Sequence, residues 1–177
     1  MPSATMEITM DSARDRFQAL LARHEKIVFK VANTYCRNVE DRRDLVQDIC
    51  VQAWRSFGSY DPTRPFSTWM YRVALNVAIS SVRSAGRRQR NTVPLDEGPL
   101  DVADARATPD EPDARVRALH DVIDRLDVLN RALMLLYLED RSYRDIAEVL
   151  GMTETNVATK LNRLKQRIRT EMAENAR

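Results

Sequence analysis

A basic stretch near the C-terminus carries side chains suited to contacting nucleic acid. From Thr155 to Thr170 the chain holds five basic residues and no acidic one. Amide and hydroxyl groups hydrogen-bond to base edges, whereas Lys and Arg neutralise phosphates. On a helical wheel these groups gather opposite an apolar stripe. The candidate contact residues are Thr155, Asn156, Thr159, Lys160, Asn162, Arg163 and Arg167.

The residues before and within this stretch predict a helix-turn-helix. Ser142, with Asp145 three places on, is typical of a helix N-cap. Gly151 suits a left-handed turn position, and Thr153 can cap the next helix. The core-facing positions of that helix are Val157, Leu161, Leu164 and Ile168. A short helix, a tight turn and a longer basic helix favour DNA contact, and an ordinary exposed amphipathic helix is the alternative.

A second basic block lies in the first half of the chain. Between Asp61 and Asp96 there are six arginines and no acid. Two of these arginines, Arg72 and Arg83, fall on a helix predicted from about Ser67 to Ser84. The polar face of this helix carries Trp69, Arg72, Asn76, Ser80 and Arg83. From Leu95 to Ala114 there follow seven acids against one arginine, so that an acidic spacer separates two potential polyanion contacts. Solvated charged surfaces are the alternative.

Composition and patterning predict an all-α protein of two small domains. The 177 residues are 44% hydrophobic and 6% aromatic, with four glycines and few alternating β-branched runs. We expect a loose tail over 1–12, one helical domain over 13–90 and another over 113–177. The second domain contains the helix-turn-helix. Four prolines and many acids make residues 91–112 an acidic linker.

Several function classes lack support in the sequence. Cys36 and Cys50 have neither CxxC spacing nor a neighbouring histidine, so we expect no metal site. Neither a Gly-rich phosphate loop after a strand nor HExxH or GxSxG occurs, so no enzyme activity and no cofactor are expected. The histidines, His24 and His120, are isolated from any obvious nucleophile. No signal peptide or apolar run of ~20 residues is visible, which favours a cytoplasmic protein without membrane insertion.

Three segments resemble one protein family. "DRRDLVQDICVQAWRSF" resembles the helix with which extracytoplasmic-function (ECF) sigma factors grip core RNA polymerase. "FSTWMYRVALNVAISSVRSAGRRQR" resembles their minus-ten melting segment. "LDVLNRALMLLYLEDRSYRDIAEVLGMTETNVATKLNRLKQRIR" is similar to their promoter-reading domain four. The resemblance covers about residues 13–90 and 113–172, in the family's order.

The resemblance implies a factor that binds core RNA polymerase and directs promoter-specific initiation. Implied partners are the polymerase clamp and flap, promoter DNA, and an anti-sigma factor or other regulator. The implied polymerase-binding residues are Asp44, Gln47, Asp48 and Arg55. The implied minus-ten residues are Trp69, Arg72, Asn76, Arg83, Arg87 and Arg88, with Asn76 reading a flipped base. The basic strip around Arg163 would read minus-thirty-five DNA. Core packing is the alternative for Trp69 and Tyr71.

Departures from the family pattern restrict what can be carried over. Relatives often have an Asp where Ser80 stands, and Ser and Arg where Thr159 and Lys160 stand. The promoter sequence therefore cannot be copied from relatives. Two other hypotheses are a sigma-like mimic that binds an anti-sigma partner without reading DNA, and a dimeric helix-turn-helix repressor. The cations of the outer helix face and Asn76 favour the DNA reader.

Overall fold

The computed structural model describes the backbone of residues 4–91, 119 and 121–174, and the side chains of 12–86, 119 and 121–173. Within these residues every regular element is a helix, which confirms the all-α prediction. The predicted acidic linker lies outside the described residues except for Asn91.

The first half of the chain forms three helices. They are α1 (Ala4–Tyr35), α2 (Val39–Ser56) and α3 (Phe66–Asn91), with a 3-10 turn at Phe57–Ser59 after α2. The Asn38 side chain begins α2 by accepting a 2.7 Å hydrogen bond from the Glu40 amide. The three helices pack around fully buried side chains, among them Val31, Ile49 and Met70.

Two helices are longer than the sequence pattern predicts. The loose tail was expected over 1–12, but α1 begins at Ala4. Neither Gly nor Pro interrupts the chain between Ala4 and Arg37, so helix propensity alone can extend the element. The third helix was expected to end near Ser84 but continues to Asn91. Gly86 does not stop it, since one exposed glycine costs a helix only about 1 kcal/mol.

The second half forms a helical turn at residues 121–124 and then three helices. These are α4 (Val128–Leu138), α5 (Tyr143–Leu150) and α6 (Glu154–Glu174). The Asp127 side chain caps α4 by accepting hydrogen bonds from the amides of Leu129 and Asn130 at 3.1 and 3.0 Å. The core of this half includes Leu133, Leu136, Ile146 and Leu161.

The two halves touch through hydrogen bonds and a continuous hydrophobic cluster. The Tyr35 hydroxyl donates to the carbonyl of Val128 at 2.7 Å. Arg141 donates to Ser67 Oγ at 3.1 Å. Other polar contacts between the halves are Tyr71 to Glu139 at 3.2 Å, Arg131 to the Thr34 carbonyl at 3.3 Å, Arg37 to Asp124 at 3.2 Å, Lys30 to Glu139, and Arg64 to Glu148.

Candidate nucleic-acid interface

The turn before α6 has the geometry that its residues predict. Ser142 Oγ accepts from the Asp145 amide at 3.1 Å and donates to its carboxylate at 2.7 Å. Gly151 adopts φ +66°, a left-handed conformation that a side chain would penalise. Thr153 Oγ1 accepts from the Asn156 amide at 3.2 Å. These caps fix where α5 ends and α6 begins.

One face of α6 is buried, and the opposite face points to solvent. Val157 and Leu161 are fully buried, and Leu164 and Ile168 nearly so. The exposed set comprises all seven predicted contact residues, Thr155, Asn156, Thr159, Lys160, Asn162, Arg163 and Arg167. We call this set the α6 outer face. Its hydroxyl and amide groups lie toward the N-terminal end.

The cations of α6 differ in how far they are engaged by the fold. Arg167 Nε donates to Glu171 Oε1 at 2.7 Å, one helical turn on. Lys165 lies outside the outer face, with its Nζ 4.9 Å from the ring centre of Tyr137. Lys160 and Arg163 form no hydrogen bond or ion pair with the described residues. Both are therefore available for phosphates.

A second polar surface is a groove of about 890 Å³ between α2 and α3. Its α3 wall carries three of the predicted minus-ten residues, Trp69, Arg72 and Asn76, together with Ser80, Ser81 and Ser84. Its α2 wall carries Asp48, Gln52 and Ser56, and we call the whole the α2–α3 groove. Arg72 and Asn76 are exposed, whereas Trp69 is half-buried.

Aromatic packing holds Trp69 at one end of the α2–α3 groove. Its ring centre lies 5.5 Å from that of Tyr60 and 5.2 Å from that of Phe66. The preceding loop is fixed by Asp61, whose carboxylate accepts from the Thr63 amide at 2.9 Å and its hydroxyl at 2.7 Å. These hydrogen bonds lower the pKa of Asp61. The indole is thereby held in place while part of it faces the groove.

Tyr71, the other aromatic residue of this segment, does not line the groove. It is 1% exposed and hydrogen-bonds to Glu139 of the second half, so the core-packing alternative holds for Tyr71. Arg83 is an exposed residue of α3. Arg87 and Arg88 lie on the helical backbone of α3, but their side chains are outside the described residues.

Helix α2 also presents exposed residues that do not line the groove. Asp44, Gln47 and Arg55 are among them, and Asp48 stands at the groove's edge. The structure adds Val51 and Trp54, which are 42% and 40% exposed although both are apolar. A sequence signal was available, since neither residue falls on the apolar stripe of α2. We call Asp44, Gln47, Val51, Trp54 and Arg55 the α2 outer face.

No reactive or metal-binding cluster accompanies these surfaces in the described part of the chain. Cys36 and Cys50 are half-buried and unpaired in any disulfide, and burial raises the pKa of both thiols. Among the described residues no three His, Cys, Asp or Glu side chains are placed to hold a metal ion. None of the described helices is long and apolar enough to cross a membrane.

Comparison with known proteins identifies the family. The model of sigma-70 region 2 matches residues 20–88, and that of sigma-70 region 4 matches residues 116–168. The ECF RNA polymerase sigma-E factor of Haemophilus influenzae is 30% identical over 96% of this chain and 94% of its own length. The chain belongs to the ECF sigma factors. The sigma factor SigM of Mycobacterium tuberculosis is 31% identical over 88% of this chain and 76% of its own length.

Solved structures show that this sigma factor shares its fold with other members. The sigma factor RpoE of Bartonella quintana, in complex with the anti-sigma factor NepR, has a TM-score of 0.73 at 20% identity. The match covers 89% of this chain and 97% of that one. CnrH in complex with the cytosolic domain of CnrY has a TM-score of 0.60 at 22% identity, covering 92% and 88%.

The family matches include the surfaces described above. The region 2 match spans the α2–α3 groove, and the region 4 match includes the α6 outer face. The role of each residue on these surfaces stays a prediction.

Proposed function

We propose that this sigma factor binds core RNA polymerase, reads minus-thirty-five DNA with the α6 outer face and opens minus-ten DNA at the α2–α3 groove. One observation supports this proposal most strongly. Both polar surfaces face solvent, and each is held by buried residues of its own helices. A factor that must bind both duplex promoter DNA and a displaced single strand needs two such surfaces.

The α6 outer face has the chemistry of a major-groove reader. Small hydroxyls of Thr155 and Thr159 allow a close approach of the helix N-terminal half to base edges. Asn156 and Asn162 can donate and accept at one base. Lys160 and Arg163 are available for flanking phosphates, where counterion release favours binding.

The α2–α3 groove has the chemistry of a strand-separating site. A base that leaves the duplex stack costs a few kcal/mol, and stacking with hydrogen bonding offsets this cost. Trp69 offers a held aromatic surface, with typical base stacking worth about 1–3 kcal/mol. Asn76 offers a donor and an acceptor, and Arg72 offers a charge for the phosphate backbone.

The α2 outer face is the proposed contact with the polymerase clamp. It combines the charged and amide groups of Asp44, Gln47 and Arg55 with exposed apolar area on Val51 and Trp54. Protein interfaces commonly place an aromatic anchor within a polar rim. The flap is the proposed contact of the domain over 113–177.

A protein regulator is the remaining proposed partner. The Bartonella quintana neighbour was solved with an anti-sigma factor, and CnrH with the cytosolic domain of CnrY. By similarity of fold we propose that an anti-sigma factor or comparable protein binds this chain. A mimic that only binds such a partner would not require the exposed cations Lys160 and Arg163.

Run-off transcription on a promoter library tests the proposal. The purified chain with core polymerase should enrich defined sequences, whereas Arg163→Glu and Asn76→Ala should each reduce open complexes while retaining polymerase binding. Polymerase binding without any enriched sequence would favour the mimic. Tight duplex binding without polymerase would favour the repressor.

A further inference from the structure

The α2 wall of the α2–α3 groove carries two polar side chains with unused hydrogen-bonding capacity. Asp48 and Gln52 are exposed and line the groove together with Asn76 of the α3 wall. None of these three side chains forms a hydrogen bond or ion pair with the described residues. The family resemblance implies a polymerase contact for Asp48 and no role for Gln52.

The charges of the two walls are opposite. Arg72 on α3 is the cation among the lining residues, and Asp48 on α2 is the acid. Phosphates are attracted to a guanidinium and repelled by a carboxylate. A DNA strand in the groove therefore lowers its energy when its backbone follows α3 and its bases face α2.

We propose that Gln52 and Asp48 are base-reading residues of the minus-ten site, opposite Asn76. This rests on the proposed function, because it requires a displaced strand in the groove. A carboxylate accepts hydrogen bonds but donates none, and a glutamine amide does both. Both fit a base with an exocyclic amino group, which adenine, cytosine and guanine carry and thymine lacks. Thymine offers the carboxylate only its N3–H donor, flanked by two carbonyl acceptors, so the α2 wall favours a base with an amino group over thymine at one unpaired position.

The groove has room for this arrangement. Its volume of about 890 Å³ lies in the range of sites that enclose small organic molecules. Trp69 provides an aromatic surface at one end of the α3 wall. The small side chains of the α3 serines leave space along the rest of that wall. A base stacked near Trp69 would enter a groove that Asn76 lines from α3 and Gln52 lines from α2.

Amino-deletion analogues test the inference directly. The holoenzyme is assembled from the full chain and core polymerase, and single-stranded oligonucleotides of the selected minus-ten sequence are titrated. Each adenine, cytosine and guanine is replaced in turn by its analogue without the exocyclic amino group. At one position the analogue should bind the wild-type holoenzyme at least about fivefold more weakly than the natural base, the lower end of the discrimination that a good side chain–base pair supplies. Gln52→Ala and Asp48→Asn should bind the natural base and its analogue more equally.

Matched controls separate base reading from folding and polymerase binding. Gln18→Ala changes an exposed amide on α1 and should leave the discrimination intact. Gln47→Ala on the α2 outer face should weaken polymerase binding without changing base discrimination. Gln52→Met keeps the side-chain length, so it should reproduce the effect of Gln52→Ala if a folding defect is not its cause.

Failure of this inference is distinguishable from failure of the proposed function. Two results would overturn the inference and leave the proposed function standing. The first is a preference for thymine at every unpaired position. The second is base discrimination that stays unchanged in both α2 variants while Asn76→Ala relaxes it. A loss of polymerase affinity alone in Asp48→Asn and Gln52→Ala also overturns it. If the wild-type holoenzyme opens no promoter at all, the proposed function fails and this inference fails with it.

Discussion

The hydroxyl of Tyr35, the last residue of α1, donates a 2.7 Å hydrogen bond to the backbone carbonyl of Val128, the first residue of α4. The Arg131 guanidinium lies 5.5 Å from the centre of the same ring. Burial raises the pKa of Tyr35, so the hydroxyl remains a neutral donor throughout the physiological range. One side chain thus joins the two halves through a polar and an aromatic contact.

Tyr35→Phe should lower the free energy of unfolding by about 1 kcal/mol, because the Val128 carbonyl loses its side-chain donor in a partly buried place. Urea denaturation of the full chain measures the change. Tyr60→Phe is the matched control, since the Tyr60 hydroxyl donates to the Arg64 carbonyl at 3.0 Å in an exposed loop. Tyr60→Phe should lower the free energy of unfolding by less than Tyr35→Phe does. Equal stability of Tyr35→Phe and wild type would contradict the assigned contact.

The ion pair of Lys30 with Glu139 should contribute weakly and depend on salt. Both side chains are partly exposed, and such pairs typically contribute about 0.2–1 kcal/mol. A double-mutant cycle with Lys30→Gln and Glu139→Gln isolates the coupling, since the substituted amide would still accept a hydrogen bond from Tyr71. We expect positive coupling at low ionic strength and near zero in about 1 M salt. Coupling that persists in high salt would show that the pair is more deeply desolvated than its exposure indicates.

His24 should make the fold less stable in mild acid. Its ring centre lies 5.2 Å from that of Phe66, and burial, Arg141 and Arg23 lower its pKa below 6.5. The unfolded chain then binds the proton more tightly than the folded one. Stability is therefore fully present above about pH 6.5 and falls as the pH decreases toward the folded pKa. Urea titrations at several pH values should show this loss, and His24→Gln should reduce it. An NMR-measured pKa at or above about 6.5 would contradict the prediction.

Two glycines provide a test with opposite signs. Gly151→Ala should destabilise the chain by about 1–2 kcal/mol, because φ +66° is strained for any residue with a Cβ. Gly86→Ala should stabilise it by about 0.5–1 kcal/mol, because Gly86 lies within helix α3. No neighbouring atom lies within 4 Å of either added Cβ, so steric clash does not enter. Thermal unfolding of both variants gives the comparison, and a shift of the same sign in both would refute this assignment.

The salt dependence of promoter binding should distinguish two cations of α6. Arg163→Gln should weaken holoenzyme binding to minus-thirty-five DNA and reduce the slope of log K against log salt by about 1. Lys165→Gln should leave the slope nearly unchanged, because Lys165 packs over Tyr137. Filter binding at several salt concentrations supplies both slopes. Equal effects of the two variants would remove Arg163 from the proposed interface.

Local chemistry made the second half largely predictable from the sequence. Ser142, Gly151 and Thr153 each specify a cap or turn within a few residues, and all three do so in the structure. The four core positions of α6, spaced at helical intervals, are buried as expected. The outward direction of Arg163 then follows from periodicity alone.

Tertiary placement could not be predicted in the same way. Tyr71 and Trp69 are two residues apart on one helix, yet Tyr71 is buried against the second half while Trp69 reaches the groove. Gln52 and Asn76 line the same groove because of how α2 packs on α3. Periodicity gives the face of a helix but not the neighbour that meets it.

The contacts between the two halves limit the distance that one molecule can span along DNA. Minus-ten and minus-thirty-five DNA are about 25 base pairs apart by their names, or roughly 85 Å along straight B-DNA at about 3.4 Å per base pair. A compact chain of this length has a radius of gyration of only about 16 Å. Under the proposed function, in which each half binds one of these elements, the bonds of Tyr35, Arg141 and Glu139 across the halves have to break before one molecule can span a promoter. The strength of these bonds sets the equilibrium between the closed chain and an extended form, and a small extended fraction lowers the apparent promoter affinity. Variants that weaken the bonds should increase the extended fraction.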